Sequence, residues 1–403
     1  MCQKPKFLIM KKSFTIIALL ISVSIFAQTH VTRTLMWDET ERQYLEYVPT
    51  MYNPETPAPV IFCLHGLGDN MTNFSGLGFD NIADQKGWIV ITPQALDATL
   101  PMAGNIGAAW GAGVSSTFPV IGYQVINPDV DDAGFLLAIL DSLQNNFNIN
   151  TDSVFFMGFS MGGFMANRMG IEHGDRIKGI ATVSGTIGNE MTSVTPVNNI
   201  NAMHIHGTAD ETITYQEGGM IIGTYGTYTV GLGAEPTVEF WRSYNNCSAE
   251  PIMSYFPNEV ADGLTFERYL YLDGNNDSRT AFIKVNEGEH SWYYKPANDI
   301  DYTTEIYKFL TNTMDFPSEV IEIAAHTDIQ IYPNPTNQLL YVGFNEQVDC
   351  SMKIFDITGK EQKVLTFNGV QTKIDVSDLS EGIYFIRVSK NGNYTDRKFV
   401  IVR

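Results

Sequence analysis

Val154-Phe155-Phe156-Met157-Gly158-Phe159-Ser160-Met161-Gly162-Gly163 is the stretch whose reading decides the fold of this chain. Val154 to Met157 is an apolar run expected to form a buried strand, and Met161 to His173 has the pattern of a helix, so Ser160 stands on the turn between them. Glycines at 158 and 162 permit the crowded, strained backbone that lifts a serine hydroxyl above the end of a sheet. A bare Gly-x-Ser-x-Gly is weak evidence; its strand–turn–helix setting makes Ser160 the candidate nucleophile. The Met161 N–H, first in the helix, points toward any negative charge that develops beside the serine.

Outward from this stretch, short β-rich runs alternate with helical patterns between residue 31 and about 315. That alternation implies an α/β fold, a mostly parallel central sheet with helices on both faces. Strands are expected at Gln43–Val48, Val60–Leu64, Trp88–Thr92, Ser153–Met157, Ile180–Val183, Ala202–Ile205, Phe266–Leu272 and Ala281–Val285, several apolar throughout and hence buried on both faces. Helices are expected at Asp132–Phe147, Met161–His173 and Tyr302–Met314. Past Asp315 the texture changes to turn residues between alternating strands, at Leu339–Phe344, Met352–Phe355, Tyr384–Val388 and Lys398–Val402, as in a small all-β sandwich.

A serine nucleophile needs a base, an acid that orients the base, and a second oxyanion donor. The segment Leu64-His65-Gly66-Leu67-Gly68 ends another buried strand and offers the Leu67 N–H as that donor, unless it is an ordinary Gly-rich turn. In the chain order serine, acid, histidine, the base lies well beyond Ser160. His173, His204, His206 and His326 fall on a helix end, a strand and a linker, which leaves His290, on a loop after the last strand, as the base. The acid falls between them at a strand end; Asp210 meets both conditions, with Glu211 as its nearest competitor. The acyl pocket is expected from Trp110, Trp292, Tyr215 and the loop from Pro101 to Tyr123, although Trp110 suits a structural anchor equally well.

The net charge of −20 argues against nucleic acid and polyanionic partners, because phosphate contacts need clustered Lys and Arg. Lys11 and Lys12 before the apolar run Phe14–Phe26 mark residues 1–27 as a signal peptide, and no later stretch is long and apolar enough to span a membrane. Its removal leaves Cys63, Cys247 and Cys350, which is no disulfide framework; Cys63 suits a packed core thiol. No metal or other cofactor is expected. His204-x-His206 has both rings on one strand face but suits a structural role better than a metal site. Asp273-Gly274-Asn275-Asn276-Asp277 begins like a calcium loop, yet Ser278 replaces the needed glycine and Lys284 the bidentate acid.

These residues resemble the secreted poly(3-hydroxybutyrate) depolymerase and feruloyl esterase family, close to carbohydrate esterase family 1, of the α/β-hydrolase fold. The blocks that carry the resemblance are Leu64-His65-Gly66, Asp131-Asp132-Ala133-Gly134-Phe135, Gly158 to Gly163, His206-Gly207-Thr208-Ala209-Asp210 with Tyr215, and Gly288-Glu289-His290-Ser291-Trp292. Tyr293 stands where the family often has proline. The tail, through Ile331-Tyr332-Pro333-Asn334-Pro335-Thr336 and Asp375 to Tyr384 with Gly382, is similar to the sorting domain of the type IX secretion pathway. The alternative for the tail is a carbohydrate-binding sandwich. The resulting organisation is a signal peptide (1–27), an esterase domain (28–316), a linker (317–328) and a sorting domain (329–403).

The implied protein is a secreted or cell-surface serine esterase, exported through both membranes with the type IX machinery as partner. Its expected substrate is a polymeric ester, feruloyl or acetyl groups on plant polysaccharide, with polyhydroxyalkanoate as the alternative. A prolyl oligopeptidase-like peptidase lacks its usual partner domain here, and a non-catalytic surface binder would be expected to have lost a member of the triad.

Overall fold

The computed structural model describes residues 29–101, 103–221, 227–314, 329–357, 360–390 and 393–403. The expected leader and linker, with His326, lie outside these residues. The chain divides into two units at the junction of Asp315 and Phe316, and each is described by itself.

In the first unit the strands are β1 (Val31–Trp37), β2 (Thr40–Tyr47), β3 (Ala58–Leu64), β4 (Ile89–Pro93), β5 (Asp97–Leu100), β6 (Gly104–Ala108), β7 (Ser115–Phe118), β8 (Gly122–Val125), β9 (Ile149–Phe159) and β10 (Gly179–Val183). They continue as β11 (Asn201–Gly207), β12 (Gly219–Ile221), β13 (Thr227–Thr229), β14 (Ile252–Tyr255), β15 (Thr265–Tyr271) and β16 (Thr280–Asn286). The helices are α1 (Met71–Phe74), α2 (Phe79–Lys86), α3 (Asp132–Asn146), α4 (Met161–Glu172), α5 (Ala234–Asn245) and α6 (Tyr302–Leu310).

Ten strands form the main sheet in the order β1-β2-β4-β3-β9-β10-β11-β16-β15-β14. The middle six, β4 to β16, run parallel, and the two at each side are antiparallel. Every expected strand of this unit is present. The edge strands β1 and β14, the short hairpins and α5 stand where the sequence reading placed no element. Helix α6 stops at Leu310 rather than Met314, because the Thr311 hydroxyl donates to the Tyr307 carbonyl (2.8 Å) and the Thr313 amide to that of Lys308 (2.8 Å).

Successive side chains of a strand point to opposite faces, and β9 uses both. Phe156 stacks on Phe62 (4.4 Å between centroids) in the core that the apolar stripes of α3 and α4 close. Phe155 faces the other way and stacks on Trp88 (5.3 Å), which meets Tyr307 of α6 (5.4 Å). Helices therefore cover both faces, which is why β3, β4, β9, β10 and β11 read as nearly continuous apolar runs. The register places Leu64 beside Gly158, Phe159 beside Val183 and Gly207 beside Val285, so the loops that follow β3, β9, β11 and β16 open at one sheet edge. In such sheets, ligands bind outside the carboxyl ends of the strands.

A buried ion pair ties α3 to the sheet. Arg42 of β2 donates to Asp132 (2.6 Å), and its guanidinium lies 4.0 Å from the centre of the Phe135 ring. The other Asp132 oxygen accepts the Gly111 amide (2.7 Å). Burial pushes the Asp132 carboxyl above its usual value, against the opposing pull of Arg42 and the Gly111 amide. No apolar periodicity announces this pair.

The second unit consists of β17 (Gln330–Tyr332), β18 (Leu339–Asp356), β19 (Glu361–Asp375), β20 (Gly382–Lys390) and β21 (Asn393–Ile401). Long β18 pairs with β17, β19 and β20, and β20 with β21, all antiparallel. A bridge from Thr336 to Ile401 brings the chain after β17 back to β21, so the strands fold around one core of Leu340, Val342, Ile354, Ile386 and Phe399. The expected strands at Leu339–Phe344 and Met352–Phe355 are one strand, interrupted by a register shift between Gly343 and Val348. Strand β19 was not foreseen.

Asp132→Ala leaves Arg42 buried without its partner charge; urea unfolding is expected to register a loss of about 3–5 kcal/mol, far more than an exposed ion pair would give.

Candidate active site

Ser160 occupies the N-cap position of α4 with φ 54° and ψ −121°, yet its side chain makes no capping hydrogen bond. A serine held in a left-handed, strained conformation whose hydroxyl caps nothing is placed for some other purpose. The two pattern glycines make the turn possible. A Cβ on Gly158 would lie 2.1 Å from the Gly162 backbone, and one on Gly162 would lie 1.9 Å from the Leu64 carbonyl oxygen. Helix α4 therefore presses its first turn onto the ends of β3 and β9, and the Ser160 amide is anchored on the Val183 carbonyl (2.8 Å).

The loop after β3 is held from four directions. His65 is fully buried; its Nδ1 meets the Gly66 carbonyl (2.8 Å) and its Nε2 accepts the Ala95 amide (3.1 Å). The Trp110 indole N–H donates to the His65 carbonyl (2.8 Å), and the Gly68 amide to the Ala108 carbonyl (2.8 Å). Burial lowers the His65 pKa, which keeps the ring neutral and able to accept from Ala95. Gly66 packs against Ser160, where a Cβ would sit 3.4 Å from the serine Cβ. Among the described residues, neither the Leu67 nor the Met161 amide has a hydrogen-bond acceptor in the protein. Both residues line the same cavity as Ser160.

Asp210 and His290 sit on two loops bonded to each other. The Thr208 amide donates to the Val285 carbonyl (2.8 Å), the Ala209 amide to the Gly288 carbonyl (2.9 Å) and the Glu287 amide to the Thr208 hydroxyl (2.9 Å). The Asp210 side chain is buried. One oxygen accepts the Thr212 and Ile213 amides (2.9 and 2.8 Å), and the other accepts His290 Nδ1 at 2.8 Å. Burial opposes ionisation of Asp210, but hydrogen bonding to His206 and His290 outweighs it and holds the carboxyl well below its usual range. The resulting stability is present above the ordinary carboxylate pKa and is lost as pH falls through the lowered value. A carboxylate at Nδ1 leaves Nε2 as the free, unprotonated nitrogen of a neutral His290. The His290 ring packs on Phe159 (4.8 Å between centroids) and shares the cavity with Ser160. Glu211 is exposed and makes none of these contacts. Tyr293, the departure from the family pattern, accepts the Glu289 amide on its hydroxyl (2.8 Å) and so braces the histidine loop.

The three expected pocket aromatics do not line the cavity. Trp110 is wholly buried and serves as the anchor of the loop after β3. Tyr215 lies behind β11, edge-on to His206 and donating to Glu235 (2.8 Å). Trp292 packs edge-on against Phe74, Phe159 and Tyr302. The apolar wall comes from Val114, which lies in the expected loop from Pro101 to Tyr123, and from Ile126, Phe164, Ile213, Met220 and Val230, residues with no shared sequence pattern. Their cavity measures about 280 Å³.

His204 and His206 point into one buried hydrogen-bonded chain; among the described residues, no group of three His, Cys, Asp or Glu is placed to bind a metal. Cys63, Cys247 and Cys350 are buried. No described helix is long and apolar enough to cross a membrane.

Residues 48–227 match the family described as Phospholipase/Carboxylesterase, and residues 330–402 match the Secretion system C-terminal sorting domain. NocK of Nocardia uniformis subsp. tsuyamanensis, named as an esterase, is 26% identical over 61% of this chain and 71% of its own length. Feruloyl esterase B of Piromyces equi is 22% identical over 62% of this chain, which spans only 42% of that protein. Among solved structures, the acetyl xylan esterase from Aspergillus awamori is similar over 70% of this chain and 100% of its own, with 12% identity and a TM-score of 0.47. Residues 48–227 of the first unit thus resemble the phospholipase/carboxylesterase family and the second unit resembles the secretion sorting domains: the chain is an esterase of the α/β-hydrolase fold that carries a type IX signal for export to the cell surface or beyond.

Proposed function

We propose that the first unit hydrolyses carboxylic esters through Ser160, His290 and Asp210, with the Leu67 and Met161 amides as oxyanion hole, and that its substrates are aromatic acyl esters of polysaccharide. The carrying observation is the 2.8 Å bond between His290 Nδ1 and the buried Asp210 carboxylate, in a site whose serine is strained and caps nothing.

In this mechanism His290 Nε2 takes the proton from Ser160 as Oγ attacks the ester carbonyl. The two amides receive the charge that gathers on the carbonyl oxygen. Asp210 stabilises the imidazolium, which then protonates the departing alcohol and leaves an acyl-serine. Water, deprotonated by His290, attacks the acyl-serine; the acid leaves and Ser160 regains its proton. The positive end of α4 contributes at the oxyanion.

The acyl preference follows from the cavity. An acetyl group would leave most of about 280 Å³ unfilled, whereas the apolar wall of Val114, Ile126, Phe164, Ile213, Met220 and Val230 suits a flat, largely apolar acyl chain such as feruloyl. The relative from Piromyces equi bears that activity in its name, and a signal for export suits a substrate too large to be taken up.

Ser160→Ala is expected to abolish cleavage of short p-nitrophenyl esters while leaving the circular dichroism spectrum unchanged; retained turnover would remove Ser160 from the mechanism. Asp210→Asn should lower kcat by about 10³-fold or more with KM little changed. Trp110→Phe, which removes the bond to the His65 carbonyl and part of the buried ring, should lower kcat by about tenfold through the loosened Leu67 amide, again at nearly constant KM. For the substrate, ferulate release from arabinoxylan should exceed both acetate release from acetylated xylan and clearing of a polyhydroxybutyrate film. A film cleared faster than ferulate is released would favour the polyester reading.

A further inference from the structure

Behind the acid lies a buried polar chain that the esterase reaction, as described above, does not use. Thr182 of β10, His204 and His206 of β11 are all buried. The Thr182 hydroxyl meets His204 Nδ1 at 2.7 Å, His204 Nε2 meets His206 Nδ1 at 3.1 Å, and His206 Nε2 meets the Ile213 carbonyl at 2.8 Å and the Asp210 carboxylate at 3.4 Å. Two histidines side by side in a sheet interior are expensive unless every ring nitrogen is satisfied, and here every one is.

The end of the chain sets its direction. A backbone carbonyl only accepts, so the Ile213 oxygen requires a hydrogen on His206 Nε2. With the rings neutral, His206 Nδ1 then accepts from His204 Nε2, and His204 Nδ1 accepts from the Thr182 hydroxyl. Burial drives the His204 pKa well below its usual value, in keeping with a neutral ring. All three donors therefore point the same way, and the last N–H is aimed between the Asp210 carboxylate and the carbonyl of the turn that carries it.

We infer that His206 is a positioning residue for the ester hydrolysis: locked by His204 and Thr182 in the tautomer that carries hydrogen on Nε2, it holds Asp210 ionised and aligned with His290. The inference rests on Asp210 acting as the acid of the proposed triad. The Thr212 and Ile213 amides occupy one carboxylate oxygen, and His206 shares the other with His290. Without the His206 N–H, the carboxylate loses a donor on the oxygen that faces the base, and its affinity for a proton rises. The Asp210–His290 pair then binds a proton more tightly, and the base is free only at higher pH.

The titratable and charged groups around this contact are few. Tyr215 meets the His206 ring edge-on, and Lys284 of β16 lies beside His206 in the sheet, with Glu235 of α5 4.0 Å from its ammonium. Tyr293 of the histidine loop and Tyr302 of α6 lie near Asp210, and burial raises the pKa of both, so both stay neutral through the working range. The acid limb of the rate profile thus reports the Asp210–His290 pair.

Two amide substitutions in the full chain separate this role from simple packing. In His206→Gln the side-chain amide reaches the position of Nε2 and keeps a donor toward Asp210 and the Ile213 carbonyl. In His206→Asn it reaches only the position of Nδ1 and keeps the contact with His204 alone. With a short p-nitrophenyl ester, His206→Asn is expected to lower kcat about tenfold or more at a KM within about twofold, and to move the acid limb of kcat/KM upward by about half a pH unit or more. His206→Gln should stay within about threefold of the parent with its limb unmoved. If the two variants behave alike, or if neither moves the limb, the positioning role is overturned. Asp210→Asn is the control for the premise: full activity there would sink the triad itself, whereas its inactivation beside an unperturbed His206→Asn would sink only the role of His206.

Discussion

The close approach of helix α4 to the ends of β3 and β9 is the constraint on which the rest of the site depends. With no side chain at 158 or 162, the first turn of the helix can press against the Leu64 carbonyl, and Ser160 is forced to φ 54° above the sheet. The same approach seats Gly66 against Ser160 and brings the Leu67 and Met161 amides to one side of it. One backbone contact therefore brings together the groups that the proposed mechanism uses as nucleophile, oxyanion donors and helix dipole. The strain it stores is held by surroundings that have no freedom to relax, since β3, β9 and α4 are packed on nearly every side.

The acid and base depend on a different device. Their loops follow β11 and β16, which are neighbours in the sheet, and backbone bonds between the loops turn two flexible segments into one unit. Tyr293 braces this unit from outside, and the chain from Thr182 to His206 supports it from the sheet interior. Asp210 consequently keeps its charge although buried, because three hydrogen bonds converge on it and His206 Nε2 lies 3.4 Å away. Arg42 and Asp132 do similar work farther away: through the Gly111 amide, Asp132 fixes the segment that carries Trp110, and Trp110 in turn fixes the loop after β3.

Local pattern was enough to place Ser160, because the elbow is contiguous: strand, glycine, serine and helix all lie within ten residues. It was enough for the central strands, since burial on both faces leaves a continuous apolar run; chain order and strand ends also singled out His290 and Asp210, which the fold brings within 2.8 Å of each other. It was not enough for elements whose cue is weak. The edge strands β1 and β14 carry mixed faces, and α5 has Pro236 in its first turn. The pocket was misread for a further reason: large aromatics draw attention as ligand-binding residues, but Trp110 spends its ring on the core and its N–H on a carbonyl.

The amino-acid sequence by itself determined the class of this protein, an esterase of the α/β-hydrolase fold with a serine on a glycine-framed turn, and the export of the chain through its tail. Those features are short-range patterns, and the backbone geometry they require is written in adjacent residues. Tertiary structure alone decided which residues wall the cavity and which groups support the acid. Val114, Ile213 and Val230 meet there because the segments that carry them converge on one cavity, and Thr182 meets His204 because β10 and β11 pair in register. Such contacts are set by register and crossover, which no run of neighbouring residues records.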